Sequence, residues 1–347
     1  MRPIKKVLFF SYQRGSANCL VPLYKRIKSD ERFLVHLYGG AQAGEKYNEE
    51  HVPYKNLDAA DLQLITALLK KEKPDIIVTG TSDNVERLLW QVGAELKIKT
   101  VAILDHWTNY QKRFLQNDTL VFPDVVCVMD KFAKNEMEDL GFPIEKIKVT
   151  GQPNFQVILE DARKLTITQK EQFRKKYGKK GFPMIVFAPD PINQEKFEVY
   201  GYTQTSILEN ILQVIGGRFP LLVKLHPANS DMSIFQKYKK EHKITIIENM
   251  SEGDVIEGAD IILGMFSMFL VEAVLRKKPI ISIQIGLKGK DPFVLSRKGL
   301  VTTIVNQKDL DKALEECIAT ENYNQYMVEF EYINNPIERI IKVIDEI

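Results

Sequence analysis

Short apolar runs of strand length alternate with stretches whose apolar positions keep helical spacing, and this alternation constrains the chain more than any other feature. The runs lie at 6–10, 33–38, 75–79, 100–104 and 124–129, and the helical stretches include 57–71, with Leu62, Ile65, Leu68 and Leu69 on one face, then 85–96 and 131–140. Strands that are apolar throughout are buried on both faces, and parallel neighbours need a long crossover, usually a helix. A parallel, doubly wound α/β sheet follows. The alternation breaks at 147–154 (IKVTGQPN), where a short strand ends in a Gly and Pro pair before a charged helix. It resumes at 184–188, 206–215, 221–226, a short helix near Ile234, 244–247, 260–263 and 301–304. The 347 residues suit two domains of ordinary size. We expect them at 1–150 and 151–330, with 331–347 a C-terminal helix that packs back on the first.

Charge excludes one class of partner. With 48 basic against 46 acidic residues there is no general field for nucleic acid, although a pI near 8.2 permits weak contact with an anionic membrane surface. Cys19, Cys127 and Cys317 fit no disulfide or zinc spacing and read as reduced thiols. The N-terminal apolar run VLFF is too short for a signal-peptide core, and no run approaches a membrane span. A cytoplasmic protein is expected, at most peripheral to the inner face of the membrane.

The densest constellation lies at 221–282, which opens LLVKLHPANS and closes ADIILGMFSMFLVEAVLRKKPIIS. His226-Pro227 ends one apolar run, since proline cannot continue the ladder. After the second run, Ser267 can cap a helix whose apolar positions are Phe269, Leu270, Ala273 and Val274, with Glu272 about a turn in. Open α/β sheets bind ligands outside the carboxyl ends of their strands, and helix N-termini bind phosphate. The backbone at 267–269, including Met268, could hold phosphates, Glu272 ribose hydroxyls, and His226 the leaving phosphate. Singly, each residue is more often a strand end, a cap or a solvated carboxylate; their order within one βα region favours a site. Pro189 and Asp190 leave the run 184–188 on the same edge.

In the first half, Gly15 and Ser16 lie in a polar turn, 13–18, that lacks the Lys-Ser/Thr pair of a phosphate loop and instead suits an acceptor. The loop 80–84 offers Ser82 and Asp83 on the acceptor side, with Asp83 or Asn84 also able to cap the next helix. Asp105, His106 and Trp107 follow the run 100–104.

The order of these motifs resembles the two-Rossmann-domain (GT-B) glycosyltransferase and UDP-N-acetylglucosamine 2-epimerase superfamily over nearly the whole chain, as pattern rather than identity. The matching segments are DIIVTGTSDN at 75–84, VTGQP at 149–153 with Gln152 for the usual Asn, and Phe266-Ser267, Glu272-Ala273 and Lys278-Pro279-Ile280. Lys224-Leu225-His226-Pro227 is similar to the His-Pro motif of bacterial sialyl-, Kdo- and glycerophosphotransferases of surface polysaccharide synthesis, which use CMP- or CDP-linked donors. Two departures stand out: Ser267-Met268 replaces a Ser-Ser or Ser-Thr pair, and LDHWTN at 104–109 replaces the epimerase run His-Val-Glu-Ala-Gly-Leu-Arg.

The resemblance implies two Rossmann-like domains facing a central cleft, and transfer of a sugar from a CMP- or UDP-linked donor to a glycan or lipid-linked acceptor. The nucleotide-sugar is then a substrate, and no cofactor is implied. Inverting transfer needs a base for the acceptor hydroxyl, for which Asp105 is the first candidate and His106 the alternate or its orienting partner. Trp107, Tyr110 and Phe114 could stack on an acceptor sugar, though such aromatics are more often core. No Asp-x-Asp pair follows a strand and no His or Cys spacing suits a metal, so metal-independent chemistry is expected. An epimerase or hydrolase, or a non-catalytic nucleotide-sugar binding protein, would keep Glu272; the last would not need Asp105. Donor nucleotide, stereochemistry and oligomeric state stay open.

Overall fold

The structure is a computed structural model that describes residues 3–58, 61–116, 119–164, 167–215, 219–226, 233–241, 243–320 and 323–347. It divides into two units, Met1–Val157 with Tyr332–Ile347, and Ile158–Glu331.

Unit 1 is built on seven parallel strands, β1 (Lys5–Ser11), β2 (Phe33–Gly39), β3 (Lys55–Asn56), β4 (Ile76–Thr79), β5 (Lys99–Ile103), β8 (Val125–Val128) and β9 (Ile147–Val149). Between β5 and β8 the chain makes a small antiparallel ribbon, β6 (Leu115–Gln116) with β7 (Thr119–Leu120). The large sheet runs β3-β2-β1-β4-β5-β8-β9, so the winding direction reverses between β1 and β4. Alternate residues of β1 enter different cores: Val7 and Phe9 pack with Leu20 and Leu23, while Leu8 and Phe10 pack with Ile65 and Leu89. Each such side chain contributes about 1.5–3 kcal/mol on burial. Helix Pro336–Glu346 adds Ile337, Ile340, Ile341 and Ile344 to the core of Val7 and Phe9.

Local readings were corrected in this unit. The expected polar turn at 13–18 is mostly helix, which begins at Arg14. Gly15 and Ser16 therefore occupy first-turn positions, where N–H groups lack intrahelical partners and weak helix formers are tolerated. Helix Leu62–Glu72 is shorter than 57–71, capped by Asp61, whose side chain accepts from Leu64 N–H at 2.8 Å. Helix Ala41–Glu49 was not anticipated, because its sequence is largely polar.

Unit 2 repeats the scheme with β10 (Ile185–Ala188), β11 (Leu221–Val223), β12 (Thr245–Ile246), β13 (Ile261–Gly264) and β14 (Ile280–Ser282) in the parallel order β12-β11-β10-β13-β14. Both units thus show the Rossmann order with its switch point beside the first strand, here between β10 and β13. The core joins Phe187, Ile207, Ile211, Val223 and Leu263. The run at 301–304 is not a strand; Ile304 makes a single parallel bridge to Ile283. Strand β11 stops at Val223, short of His226, although Lys224 N–H still donates to Phe187 O at 2.9 Å. Pro227 lies outside the described residues. Among those described, no helix is long and apolar enough to cross a membrane.

Candidate functional site

At the switch point of unit 2, β13 ends in a loop that turns into helix Met268–Leu275. Ser267 stands at the N-cap with extended backbone, φ −67° and ψ 159°, but its hydroxyl makes no capping bond. That overturns the expected cap. Asp190 instead holds the loop before the helix: its Oδ2 accepts from Phe266 N–H at 3.0 Å, and the N–H groups of Ser267 and Met265 also face its carboxyl. Pro189 and Asp190 are both buried behind this loop. Ser282 Oγ donates to Met265 O at 2.6 Å, fixing the loop from β14, and Phe266 stacks on Tyr200 at 5.4 Å. The loop is held on several sides while Ser267 Oγ, fully shielded from solvent, has no hydrogen-bond partner among the described residues. A buried hydroxyl costs about 1–3 kcal/mol when left unpaired. Helix N–H groups with a spare hydroxyl form the donor set that an anionic phosphate oxygen requires.

Glu272 is largely buried, not solvated. Its Oε1 accepts from Arg276 Nε at 3.0 Å. Burial, with Glu252 nearby, pushes its carboxyl up to about 7 against the pull of Arg276. Met268 opens the helix half-buried. His226 keeps solvent contact, yet protein packed around the ring lowers its pKa below the usual histidine value, with Glu252 pulling up and Lys196 down.

Around the switch point of unit 1 the polar groups pair with one another. Ser16, fully buried, donates through Oγ to Ser82 Oγ at 3.0 Å. Asp83 caps helix Asn84–Glu95 as expected, accepting from Val85 N–H at 3.1 Å, and Glu86 completes a capping box by accepting from Asp83 N–H at 2.8 Å. Glu86 is fully buried, and burial pushes its carboxyl up to about 8 despite the loop N–H groups that favour its charge. Asp105, just past β5, receives Arg113 Nη1 on Oδ1 at 2.6 Å. The same guanidinium reaches Thr81 Oγ1 at 2.9 Å and, through Nε, Thr108 O at 2.9 Å, so it clamps the loop after β4 to the loop after β5. A Cβ on Gly15 would stand 2.5 Å from Asp105 Oδ2, so a larger residue there would push that carboxylate aside. The loop around Asp105 is pinned further by Gln152, whose Nε2 donates to Asp105 O at 3.3 Å and whose Oε1 accepts from Phe155 N–H at 3.2 Å.

Thr108 Oγ1 lies 2.9 Å from His106 Nδ1 and orients that ring. Trp107 is 0% exposed, stacked on Phe155 at 5.8 Å and bonded through Nε1 to Asp130 at 3.0 Å. With Tyr110 and Phe114 it belongs to the core, which corrects its place on the acceptor side: no face of the ring is open to a sugar. Sequence reasoning missed Arg113, Glu86 and Ser282. Arg113 sits in a polar segment with no motif; Glu86 carried one usable signal, the Asp-x-x-Glu spacing of a capping box.

Comparison with known proteins agrees with this architecture. The UDP-GlcNAc 2-epimerase from Neisseria meningitidis bound to UDP-GlcNAc superposes with a TM-score of 0.76 at 16% identity, covering 99% of this chain and 100% of that one. The Methanocaldococcus jannaschii UDP-GlcNAc 2-epimerase in complex with UDP-GlcNAc and UDP gives 0.71 at 19% identity, with 98% and 99% covered. A glycosyltransferase from Rickettsia africae gives 0.66 at 15% identity, with 100% and 99% covered. At such identities the likeness establishes the fold, two Rossmann-like domains of the GT-B kind. No curated protein matches the chain in sequence. A family model does, across residues 7–327, and the chain therefore belongs to the CDP-Glycerol:Poly(glycerophosphate) glycerophosphotransferase family.

Proposed function

We propose that the chain moves the activated group of a nucleotide-linked donor onto a hydroxyl of a glycan or lipid-linked acceptor in bacterial surface polysaccharide synthesis. The observation that carries this reading is the unpartnered hydroxyl of Ser267 at a helix N-terminus already braced by Asp190 and Ser282. Unit 2 takes the donor: the N–H groups at 267–269 and Ser267 Oγ receive phosphate, Glu272 the ribose, and His226 the charge that develops on the leaving phosphate. In unit 1, Asp105 takes the acceptor's proton, with Arg113 holding its other oxygen.

Two donor chemistries fit. With a CMP- or UDP-linked sugar, the acceptor oxygen attacks the anomeric carbon and the nucleotide leaves with its phosphate. With CDP-glycerol, favoured by the family match, the same oxygen attacks phosphorus, CMP leaves and glycerol phosphate is transferred. A lipid-linked acceptor would also bring the chain to the membrane as a peripheral protein. Residues 163–180, with eight Lys and Arg against one Glu, suit that surface.

Incubation with UDP-, GDP-, CMP- and CDP-linked donors, read by mass spectrometry, tests the reading. Nucleotide release with a mass gain on the acceptor supports transfer, and the size of the gain separates sugar from glycerol phosphate. An isomerised donor without release would establish an epimerase instead. Binding without any turnover would reduce the chain to a nucleotide-sugar binding protein.

A further inference from the structure

Asp190, 5% exposed, sits behind the loop that leads into helix Met268–Leu275 of unit 2, accepting from Phe266 N–H at 3.0 Å, with Ser267 and Met265 N–H also turned toward it. Ser267 Oγ, in the same turn, is shielded from solvent and unpartnered. A donor phosphate drawn to this turn brings negative charge against a buried carboxylate. Two anions sharing one desolvated site cannot both keep their charge cheaply, and the weaker acid takes a proton. The diphosphate diester of a nucleotide-linked donor has no group that titrates near neutrality, so the proton must go to the protein.

We propose that Asp190 is a positioning residue that, above neutral pH, shapes the 265–267 loop as a carboxylate in the free protein and takes up one proton from solution when the donor's phosphate arrives. This rests on the donor site read above. The groups that face Asp190 are Lys196, which favours its charge, and Tyr200 and Tyr202, whose own pKa values it raises. Burial already pushes Asp190 up to about 7, so both states are within reach near neutral pH. Asp190 and Phe266 keep their contact in either state if the remaining carbonyl oxygen accepts the N–H. Glu272, pushed up to about 7, also titrates in this range, and with His226, lowered by the protein around its ring, it is the alternative the test must separate.

Titration calorimetry with CDP-glycerol and with UDP-GlcNAc, in Hepes and in Tris, reads the protons taken up per nucleotide bound. We expect uptake near zero at pH 6, rising toward one at pH 8, with affinity falling up to about tenfold per pH unit above neutrality. Asp190→Asn preserves an oxygen for Phe266 N–H and should bind with no uptake and a flat pH profile. Glu272→Gln and His226→Gln should bind more weakly but keep the uptake. Should Asp190→Asn not fold, ¹³C NMR of the wild-type aspartate carboxyls answers directly, since nucleotide at pH 8 must move one buried resonance to its protonated position. Uptake that survives in Asp190→Asn, that disappears in Glu272→Gln or His226→Gln, or that is absent from the wild type overturns the proposal. Binding without uptake overturns it alone; no binding of either nucleotide at any pH overturns the donor site as well.

Discussion

The two units wind their strands in the same order, yet they finish their switch points differently. In unit 1 the loops after β4 and β5 are satisfied internally: Ser16 bonds Ser82, Glu86 receives the loop N–H groups, and Arg113 joins Asp105 to Thr81. In unit 2 a carboxyl and a strand-end serine brace the loop, and one hydroxyl is left over. A crevice whose donors are already spent suits an uncharged hydroxyl beside a carboxylate. One with N–H groups and a spare hydroxyl suits phosphate. Shared topology gives each unit a switch point, and the residues at each loop set its chemistry.

The sharpest way to break the comparison is to neutralise the carboxylate of unit 1. Asp105→Asn keeps an oxygen for Arg113, so the fold should hold while turnover falls about a hundredfold or more, the usual contribution of a positioned base. Nucleotide affinity should stay within a factor of two or so of wild type. Full turnover in this variant, measured by steady-state kinetics, would remove Asp105 and direct attention to His106. In unit 2 the counterpart is Glu272→Gln, chosen because Arg276, with its side chain only 4% exposed, still needs an acceptor. Loss of a charged hydrogen bond to ribose costs about 1.5–3 kcal/mol, so nucleotide affinity should drop at least tenfold. Unchanged affinity by calorimetry would take Glu272 out of the site.

What the sequence disclosed follows from how each feature is encoded. The doubly wound fold was legible because buried parallel strands such as 184–188 leave uninterrupted apolar runs, and the crossovers leave helical periodicity. Asp83 was legible as a cap because capping is local. Ser267 was misread because the carboxyl that holds its loop, Asp190, is 77 residues earlier and meets it only through sheet topology. Trp107 could be placed only by its partners, Phe155 and Asp130, which no local pattern announces. For Glu272 the sequence left a solvated carboxylate as the alternative to a ribose acceptor, and only packing, which buries it beside Arg276, removes that alternative.

Stability against pH probes the buried carboxyls of both units. Glu86 is held near 8, and Asp190 and Glu272 near 7, all well above unfolded values. The folded state therefore binds more protons than the unfolded state from about pH 4.5 upward. Stability from these groups is greatest at low pH and is lost as pH rises toward 8. Glu50 and Glu72, depressed to about 2, act oppositely and only below about 4.5; His226, lowered, costs stability only on the acid side of its ordinary value. Denaturant titrations at pH 5.5 and 8.5 should thus differ by at least about 2 kcal/mol in favour of the lower pH, and Glu86→Gln should shrink that difference. Equal stability at both pH values would mean that none of the three carboxyls is held protonated; an unchanged difference in Glu86→Gln would remove Glu86 alone, and unit 1 would lose its resemblance to unit 2 in this respect.

The smallest effect tests the contrast most directly, because it removes one hydroxyl from each unit. Ser16→Ala deprives Ser82 of a bonded partner in a fully buried setting, and should lower stability by about 1 kcal/mol with nucleotide affinity unchanged. Ser267→Ala removes a hydroxyl with nothing to lose in the free protein, so stability should hold or rise slightly. Its loss should appear only with nucleotide present, as a fall in affinity of about fivefold for one neutral hydrogen bond to phosphate. Thermal melts and nucleotide titrations of the two variants together decide the matter. If Ser267→Ala destabilises the free protein and leaves affinity intact, its hydroxyl serves the fold after all, and the difference between the two switch points disappears.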